Sequence, residues 1–188
     1  MNRQKIDKAI FQRAADGDHY AFKHIYDVYR DHVYNLTYYM LGNENDAYDV
    51  SQEIFLKLFT SIDQFKHESE FSTWFYRVSI NACLDHMRKA NRLKTRYVNH
   101  TETDSFADTS TEPVDSLVLR NQINTDIEKA IQTLSPKLRS VMVLRYIDGL
   151  SYEDISKILN CSLGTVSSRL NRGYKSLGKA LIHLKDEI

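Results

Sequence analysis

Residues that break helices are few in this chain and confined to a handful of places. Glycine occurs only at 17, 42, 149, 164, 173 and 178, and proline only at 113 and 136. A helix interior loses about 1 kcal/mol to a glycine and about 3 kcal/mol to a proline relative to alanine. The long segments between these positions are therefore free to be helical, and their apolar residues recur at helical spacing. The expected fold class is all-α. Val141–Leu144, the best strand-like run, is short and lies inside a longer helical pattern opened by Ser135 and Pro136, an N-cap and first-turn pair.

Punctuation at Gly17–Asp18 and at Gly42–Asn45 marks helices over roughly 4–16, 19–41 and 46–62. A fourth begins near Ser72, with Phe71, Trp74, Phe75, Val78 and Ala82 forming one apolar stripe. Between Asn99 and Asp115 the composition turns to Thr, Ser and Asp, with Pro113, five acidic residues and no Lys or Arg. Such a segment reads as a linker. Helical spacing returns with Ile123, Ile127, Ile131 and Leu134, followed by a helix from Pro136 to about Ile147 that stops at Asp148–Gly149. The expected organisation is two small helical domains, 1–96 and 118–188, joined by an acidic flexible linker over 97–117.

With 188 residues and 42% hydrophobic content the chain can bury a core, and 25 basic against 25 acidic residues exclude a simple polycationic coat for nucleic acid. Any DNA binding must be local. Up to Leu93 the chain carries 12 basic and 13 acidic residues, from Lys94 to Asn121 3 and 5, and from Gln122 onward 10 and 7, so only the last part is net basic. The N-terminus shows no secretory signal pattern and no stretch could span a bilayer. Cys83 and Cys161 match neither a CxxC pair nor a disulfide framework, and read as reduced thiols of a cytoplasmic protein.

The second domain contains a helix-turn-helix pattern. Ser151 can cap a helix whose first turn holds Glu153 and Asp154 and whose inner face is Ile155, Ile158 and Leu159. Asn160 and Cys161 make a tight turn, and Ser162 can cap a second helix with Val166, Leu170, Leu177 and Leu181 inward. Facing outward are Thr165, Ser167, Ser168, Arg169, Asn171, Arg172, Lys175 and Lys179, and no acid occurs from Cys161 through Leu184. Hydroxyls, amides and guanidinium groups of this kind reach phosphates and base edges. Gly164, in the first turn, lets the backbone approach a phosphate.

Two segments of the first domain are unusual. In 46–59 a helix would place Asp46, Asp49, Gln52 and Glu53 on one polar face, with Val50, Ile54, Phe55, Leu58 and Phe59 pointing elsewhere. In 65–81 a polar loop runs into an aromatic-rich helix, where an unstacked base could be gripped by rings and hydrogen-bonded by Asn, Ser or Arg. Taken alone, Trp74 and Phe75 would pass for core.

The order DAYDVSQEIFLKLF, then FSTWFYRVSINACLDHMRK, then a polar linker, then LSPKLRSVMVLRYIDGLSYEDISKILNCSLGTVSSRLNRG resembles the extracytoplasmic-function (ECF) class of bacterial RNA polymerase sigma factors of the sigma-70 family, over about residues 18–182. The resemblance implies an alternative sigma factor that binds core RNA polymerase, directs it to promoters and assists melting, with no catalysis, cofactor, metal or small-molecule substrate. It implies a sigma-2-like first domain and a sigma-4-like second one. Asp46, Asp49, Gln52, Glu53 and Lys57 would dock on the clamp helices of the polymerase largest subunit, and the C-terminal domain on the flap region of core polymerase.

By the same resemblance Phe65, Lys66, His67, Ser69, Phe71, Trp74, Arg77, Asn81, Arg88, Lys89 and Arg92 would serve the −10 element. Ser162, Gly164, Thr165, Ser167, Ser168, Arg169, Asn171, Arg172 and Lys175 would serve the −35 element, and the acidic linker would thread the RNA channel. An anti-sigma factor is implied as a further partner. Ser167 stands where many relatives carry a basic residue, which shifts the readout to Asn171 and Arg172. A conventional helix-turn-helix regulator is the rival reading. An enzyme is disfavoured, since no HExxH, P-loop or nucleophile elbow occurs and adjacent Asp–His pairs such as Asp31–His32 and Asp85–His86 do not face each other on a helix.

Overall fold

A computed structural model describes residues 6–62, 70–97 and 116–182. Within them lie eight α-helices: α1 (Lys8–Ala15), α2 (His19–Leu41), α3 (Glu44–Ser61), α4 (Phe71–Tyr97), α5 (Ser116–Thr133), α6 (Pro136–Met142), α7 (Tyr152–Leu159) and α8 (Leu163–Ala180). The first helix is shorter than expected. Asp7 caps it by accepting from the Ala9 amide at 3.1 Å, and residues 1–5 lie outside the described residues.

The breakers act where the sequence puts them, each by a definite bond. Gly17 adopts a left-handed φ of 90°, and Asp18 then caps α2 by accepting from the amides of Tyr20 and Ala21. The Arg13 guanidinium, together with the Ala21 amide, holds the Asp18 carboxyl below the usual carboxylate range. Gly42 (φ 72°) closes α2 by donating to the Tyr38 carbonyl at 2.7 Å. Asn43 then accepts from the Asp46 amide, so α3 begins at Glu44, two residues before the expected start.

α1 to α4 pack as a bundle around Ile25, Val33, Leu36, Met40, Val50, Ile54, Leu58, Phe75, Ile80 and Cys83, all nearly inaccessible to solvent. Thr37, fully buried between α2 and α3, satisfies its hydroxyl on the carbonyls of Tyr34 and Ala47. The second half packs α6 and α7 against α8 around Val141, Leu144, Leu150, Ile155, Ile158, Val166 and Leu170. Gly173 is needed at the crossing of α6 and α8, because a Cβ there would stand 2.7 Å from the Met142 sulfur.

Three details depart from the sequence reading. Ser135 occupies the N-cap position of α6, yet its side chain makes no cap bond; Pro136 starts the helix and the Ser135 carbonyl takes the Leu138 and Arg139 amides. The helix after Pro136 reaches Ile147, but its last five residues, Val143–Ile147, are a π-helical turn closed by the Asp148 amide on the Val143 carbonyl. Helix also reaches both edges of the expected linker, at Tyr97 and Ser116, and 98–115 lie outside the described residues.

Cys83 sits in the first core, where burial pushes its thiol up to about 12, while Cys161 is partly exposed. In the native protein at mildly alkaline pH, a maleimide should label Cys161 and spare Cys83. Mass spectrometry should find both labelled once denaturant is added; native labelling of Cys83 would contradict this packing.

Candidate nucleic-acid and polymerase interface

The helix-turn-helix is built as its caps require. Ser151 accepts from the Asp154 amide at 3.0 Å and places Glu153 and Asp154 in the first turn of α7. Asn160 turns the chain with φ 48°, the single left-handed non-glycine among the described residues, and its amide donates to the Ser156 carbonyl. Ser162 then caps α8 through the Thr165 amide at 3.1 Å. The turn is tied further by the Ser156 hydroxyl, which donates to the Cys161 carbonyl.

Burial of Val166, Leu170 and Gly173 fixes the rotation of α8. Opposite that seam, Gly164, Ser167, Ser168, Asn171, Arg172, Lys175 and Lys179 are exposed. Thr165 and Arg169 lie at the rim, half-buried. The Thr165 hydroxyl meets that of Ser162, and the Arg169 guanidinium points back towards the Cys161 sulfur. Asn171, Arg172 and Lys175 are thus the long polar side chains held outward, whereas Arg169 is turned partly inward.

On α4, at 3.6 residues per turn, Trp74, Arg77, Asn81, Arg88 and Arg92 fall within an arc of about 60° and run for about 27 Å. Arg77, Asn81, Arg88, Lys89 and Arg92 are exposed, Trp74 is half-buried, and Asp85 on the same stripe pairs with Arg88 at 3.2 Å. Phe71 is not on this surface. It is 6% exposed and stacked on Phe11 at 3.9 Å, with Trp74 and Phe75 beside it, so it anchors the start of α4 in the core. Phe65, Lys66, His67 and Ser69 fall outside the described residues.

On α3, Asp49, Gln52, Glu53 and Lys57 are exposed, with Glu53 and Lys57 paired at 2.8 Å, while Asp46 is half-buried and lies 3.4 Å from His86 of α4. Phe59, expected to point away from this polar face, is 48% exposed and packed edge-on against Phe22, unlike the buried Val50, Ile54, Phe55 and Leu58. Tyr48 and Leu56, at 58% and 64% exposure, complete an apolar strip beside the polar face. Their signal was available: a helix of this length cannot bury apolar residues on every side when only one face meets the bundle.

The two halves meet, and the meeting involves residues that sequence reasoning did not single out. Gln132 donates to the Tyr39 carbonyl at 2.9 Å and Arg139 to the Met40 carbonyl at 2.7 Å. Tyr38 donates to Glu128 at 3.0 Å, and that carboxylate holds the phenol above its ordinary range. His32 lies 3.5 Å from the buried Asp148, and Arg77 donates to the Lys157 carbonyl of α7 at 2.7 Å. Both His32 and His86 therefore meet an aspartate remote in sequence, not the neighbours Asp31 and Asp85. Among the described residues no group of three His, Cys, Asp or Glu could hold a metal ion, and no helix is long and apolar enough to cross a membrane.

Comparison with known proteins fits this geometry. The Sigma-70 region 2 family matches residues 25–93, from within α2 to within α4, and the Sigma-70 region 4 family matches 124–177, across the helix-turn-helix. The ECF RNA polymerase sigma factor SigW of Bacillus subtilis is 35% identical over 93% of this chain and 96% of its own length. The chain belongs to the ECF RNA polymerase sigma factors. The RNA polymerase sigma-H factor of Pseudomonas aeruginosa is 32% identical over 96% of each chain, and the ECF sigma-E factor of Escherichia coli K12 30% identical over 94% of this chain and 95% of its own.

An ECF sigma factor is an alternative, non-catalytic transcription initiation factor that acts through RNA polymerase binding and promoter recognition. In fold it is similar to CnrH, solved in complex with the cytosolic domain of CnrY (TM-score 0.66, 22% identity, 94% of this chain and 97% of that one). It is equally similar to the sigma factor RpoE of Bartonella quintana, solved with the anti-sigma factor NepR (TM-score 0.65, 23% identity, 85% and 96%).

The Ser162 cap sets the first turn of this sigma factor's exposed α8. Ser162→Ala should lower stability by about 1 kcal/mol, which for a chain of this size lowers the thermal midpoint by about 2–4 °C. Circular dichroism melting checks this, and an unchanged midpoint would show that the cap is not needed.

Proposed function

We propose that this sigma factor divides promoter reading between the exposed stripe of α4 and the exposed face of α8. α8 would enter the major groove of the −35 element, with Asn171 and Arg172 at base edges and Ser162, Gly164, Thr165, Ser167, Ser168, Arg169 and Lys175 at phosphates or at the rim. The observation that carries this reading is the rotation of α8: Val166, Leu170 and Gly173 are buried, and Asn171, Arg172 and Lys175 stand outward on a helix that carries no acid. Asn pairs geometrically with adenine and Arg with guanine, and lysine neutralises phosphate.

The stripe from Trp74 through Asn81 to Arg92 would serve the −10 element, Trp74 and Asn81 near the unstacked base and Arg77, Arg88, Lys89 and Arg92 along the backbone of the opened strand. Phe71 has a different part, holding the amino end of α4 in the core. The face of α3 bearing Asp49, Gln52, Glu53 and Lys57, with Asp46 at its edge, would meet the clamp helices of the polymerase largest subunit. Tyr48, Leu56 and Phe59 would supply the apolar centre that such a contact needs inside a charged rim. The C-terminal domain would meet the flap region.

Domain limits of 1–96, 97–117 and 118–188, action in the cytoplasm and control by an anti-sigma factor complete the proposal. The last draws on a relative in fold, the RpoE of Bartonella quintana, that was solved with an anti-sigma factor.

Run-off transcription with core polymerase and a cognate promoter tests the division. Arg172→Ala should weaken −35 recognition by about 1–3 kcal/mol and relax its sequence preference, as loss of a direct base contact does; unchanged affinity and preference would remove Arg172 from the reading surface. Asn81→Ala should leave closed-complex formation nearly intact and reduce permanganate reactivity of −10 thymines. Equal reactivity in variant and parent would refute a melting role for Asn81.

A further inference from the structure

In the first turn of α8 one large apolar side chain stands outward. Leu163, the residue after the Ser162 cap, is 47% exposed, whereas Val166, Leu170 and Gly173 of the same helix are buried. A single exposed leucine says little by itself, since such residues are common on protein surfaces. The surroundings of this one give it a meaning.

Most polar groups near it are engaged by the helix itself. The Ser162 hydroxyl accepts from the Thr165 amide and meets the Thr165 hydroxyl at 2.9 Å, and the Ser168 hydroxyl donates to the Thr165 carbonyl at 3.1 Å. Gly164 has no side chain, and a Cβ there would meet nothing nearer than the Ser162 oxygen at 3.9 Å. At 100° and 1.5 Å per residue, Leu163, Ser167 and Asn171 form one exposed row that drifts about 40° and rises about 6 Å at each step. The row begins with a branched hydrocarbon, passes a short hydroxyl and reaches a carboxamide two turns later. Ser167, being short, leaves room for a duplex to come down on Leu163.

In the major groove the base edges are patterns of donors and acceptors, to which thymine adds a hydrocarbon group, its C5 methyl. We infer that Leu163 is a specificity-determining residue that packs on the C5 methyl of a thymine in the −35 element. The amino end of α8 then reads by apolar contact, and Asn171 and Arg172 read by hydrogen bonds further along. This deepens the promoter assignment above and rests on it. Facing the other bases, Leu163 would cover donors or acceptors and offer them no partner, which costs free energy. Arg172 and Lys175, on a helix without an acid, draw the phosphates of the duplex onto the same face.

The test uses the full chain in holoenzyme with core polymerase, and cognate promoter DNA in which each −35 thymine in turn is replaced by deoxyuridine. That base lacks the methyl and keeps every donor and acceptor. In competition binding, one replacement should lower the affinity of the parent about fourfold, the value of one methyl removed from apolar contact. Leu163→Ala should weaken binding to the thymine duplex by a similar factor and bind thymine and deoxyuridine equally at that position. Leu163→Met, which keeps an apolar side chain, should retain the distinction.

Equal affinity of the parent for every deoxyuridine duplex would overturn the contact, as would a −35 element with no A·T pair. So would a deoxyuridine penalty that persists undiminished in Leu163→Ala. Circular dichroism verifies the fold of each variant. Should Leu163→Ala lose helical signal, Leu163→Gln, a good helix former without the apolar tip, takes its place under the same expectation.

Arg172→Ala on the same DNA separates this contact from the reading beneath it. If Arg172→Ala weakens binding and no deoxyuridine does, α8 remains the reading helix and the Leu163 contact fails. If Arg172→Ala has no effect while the thymine distinction still depends on Leu163, the contact stands and the role of Arg172 fails. Both fail if neither change alters affinity.

Discussion

At the carboxyl end of α2, carbonyls that no further helical turn can satisfy meet donors from two distant parts of the chain. Gly42 supplies the local one and, by its left-handed backbone, sends α3 back across α2 so that Thr37 can bond the Ala47 carbonyl and the first core can close. Gln132 and Arg139 supply the remote ones. The need of a buried backbone group for a partner thus shapes the first bundle and also brings the second half of the molecule against it.

Polymerase-dependent reading of promoters suits a chain whose charges cancel in total and separate in space. Basic and amide side chains are gathered on the outward face of α8 and along one stripe of α4, and acids on α3 and in the first turn of α7. Local fields of this kind attract phosphate at short range, while the balanced total keeps attraction for arbitrary DNA weak. The apolar strip of Tyr48, Leu56 and Phe59 beside acids on α3 suits a protein contact better than a DNA contact, since the neighbouring carboxylates would repel phosphates.

Much of the fold could be read from the sequence because its signals are local. A capping serine or asparagine, a left-handed glycine and a 3.6-residue repeat act over a turn or two, so α2, the turn at Asn160 and the Ser151 and Ser162 caps are where the residues placed them. Errors arose where a neighbour in space decides. Phe71 and Trp74 are three residues apart in one aromatic cluster, yet Phe11 covers the first and leaves the second half open. Phe59 is apolar and flanks the buried Leu58, but it lies at the edge of the bundle, against His19 and Phe22, where cover is incomplete. Arg169 sits among outward residues in sequence and is drawn to the rim by the Cys161 sulfur.

By itself the sequence determined that the protein is helical, that it carries a helix-turn-helix preceded by an acidic and an aromatic helix, and that its order of motifs is that of an ECF sigma factor. Those properties follow from backbone preferences and spacing, which need no knowledge of the far end of the chain. Tertiary structure alone decided that Phe71 is buried and Arg169 half-buried, and that Arg77, His32, Tyr38 and the end of α2 are held by the opposite half. Such contacts depend on the satisfaction of a specific carbonyl or carboxylate by a residue up to 116 positions away. No periodicity encodes that pairing, because any exposed arginine or glutamine could in principle have made it.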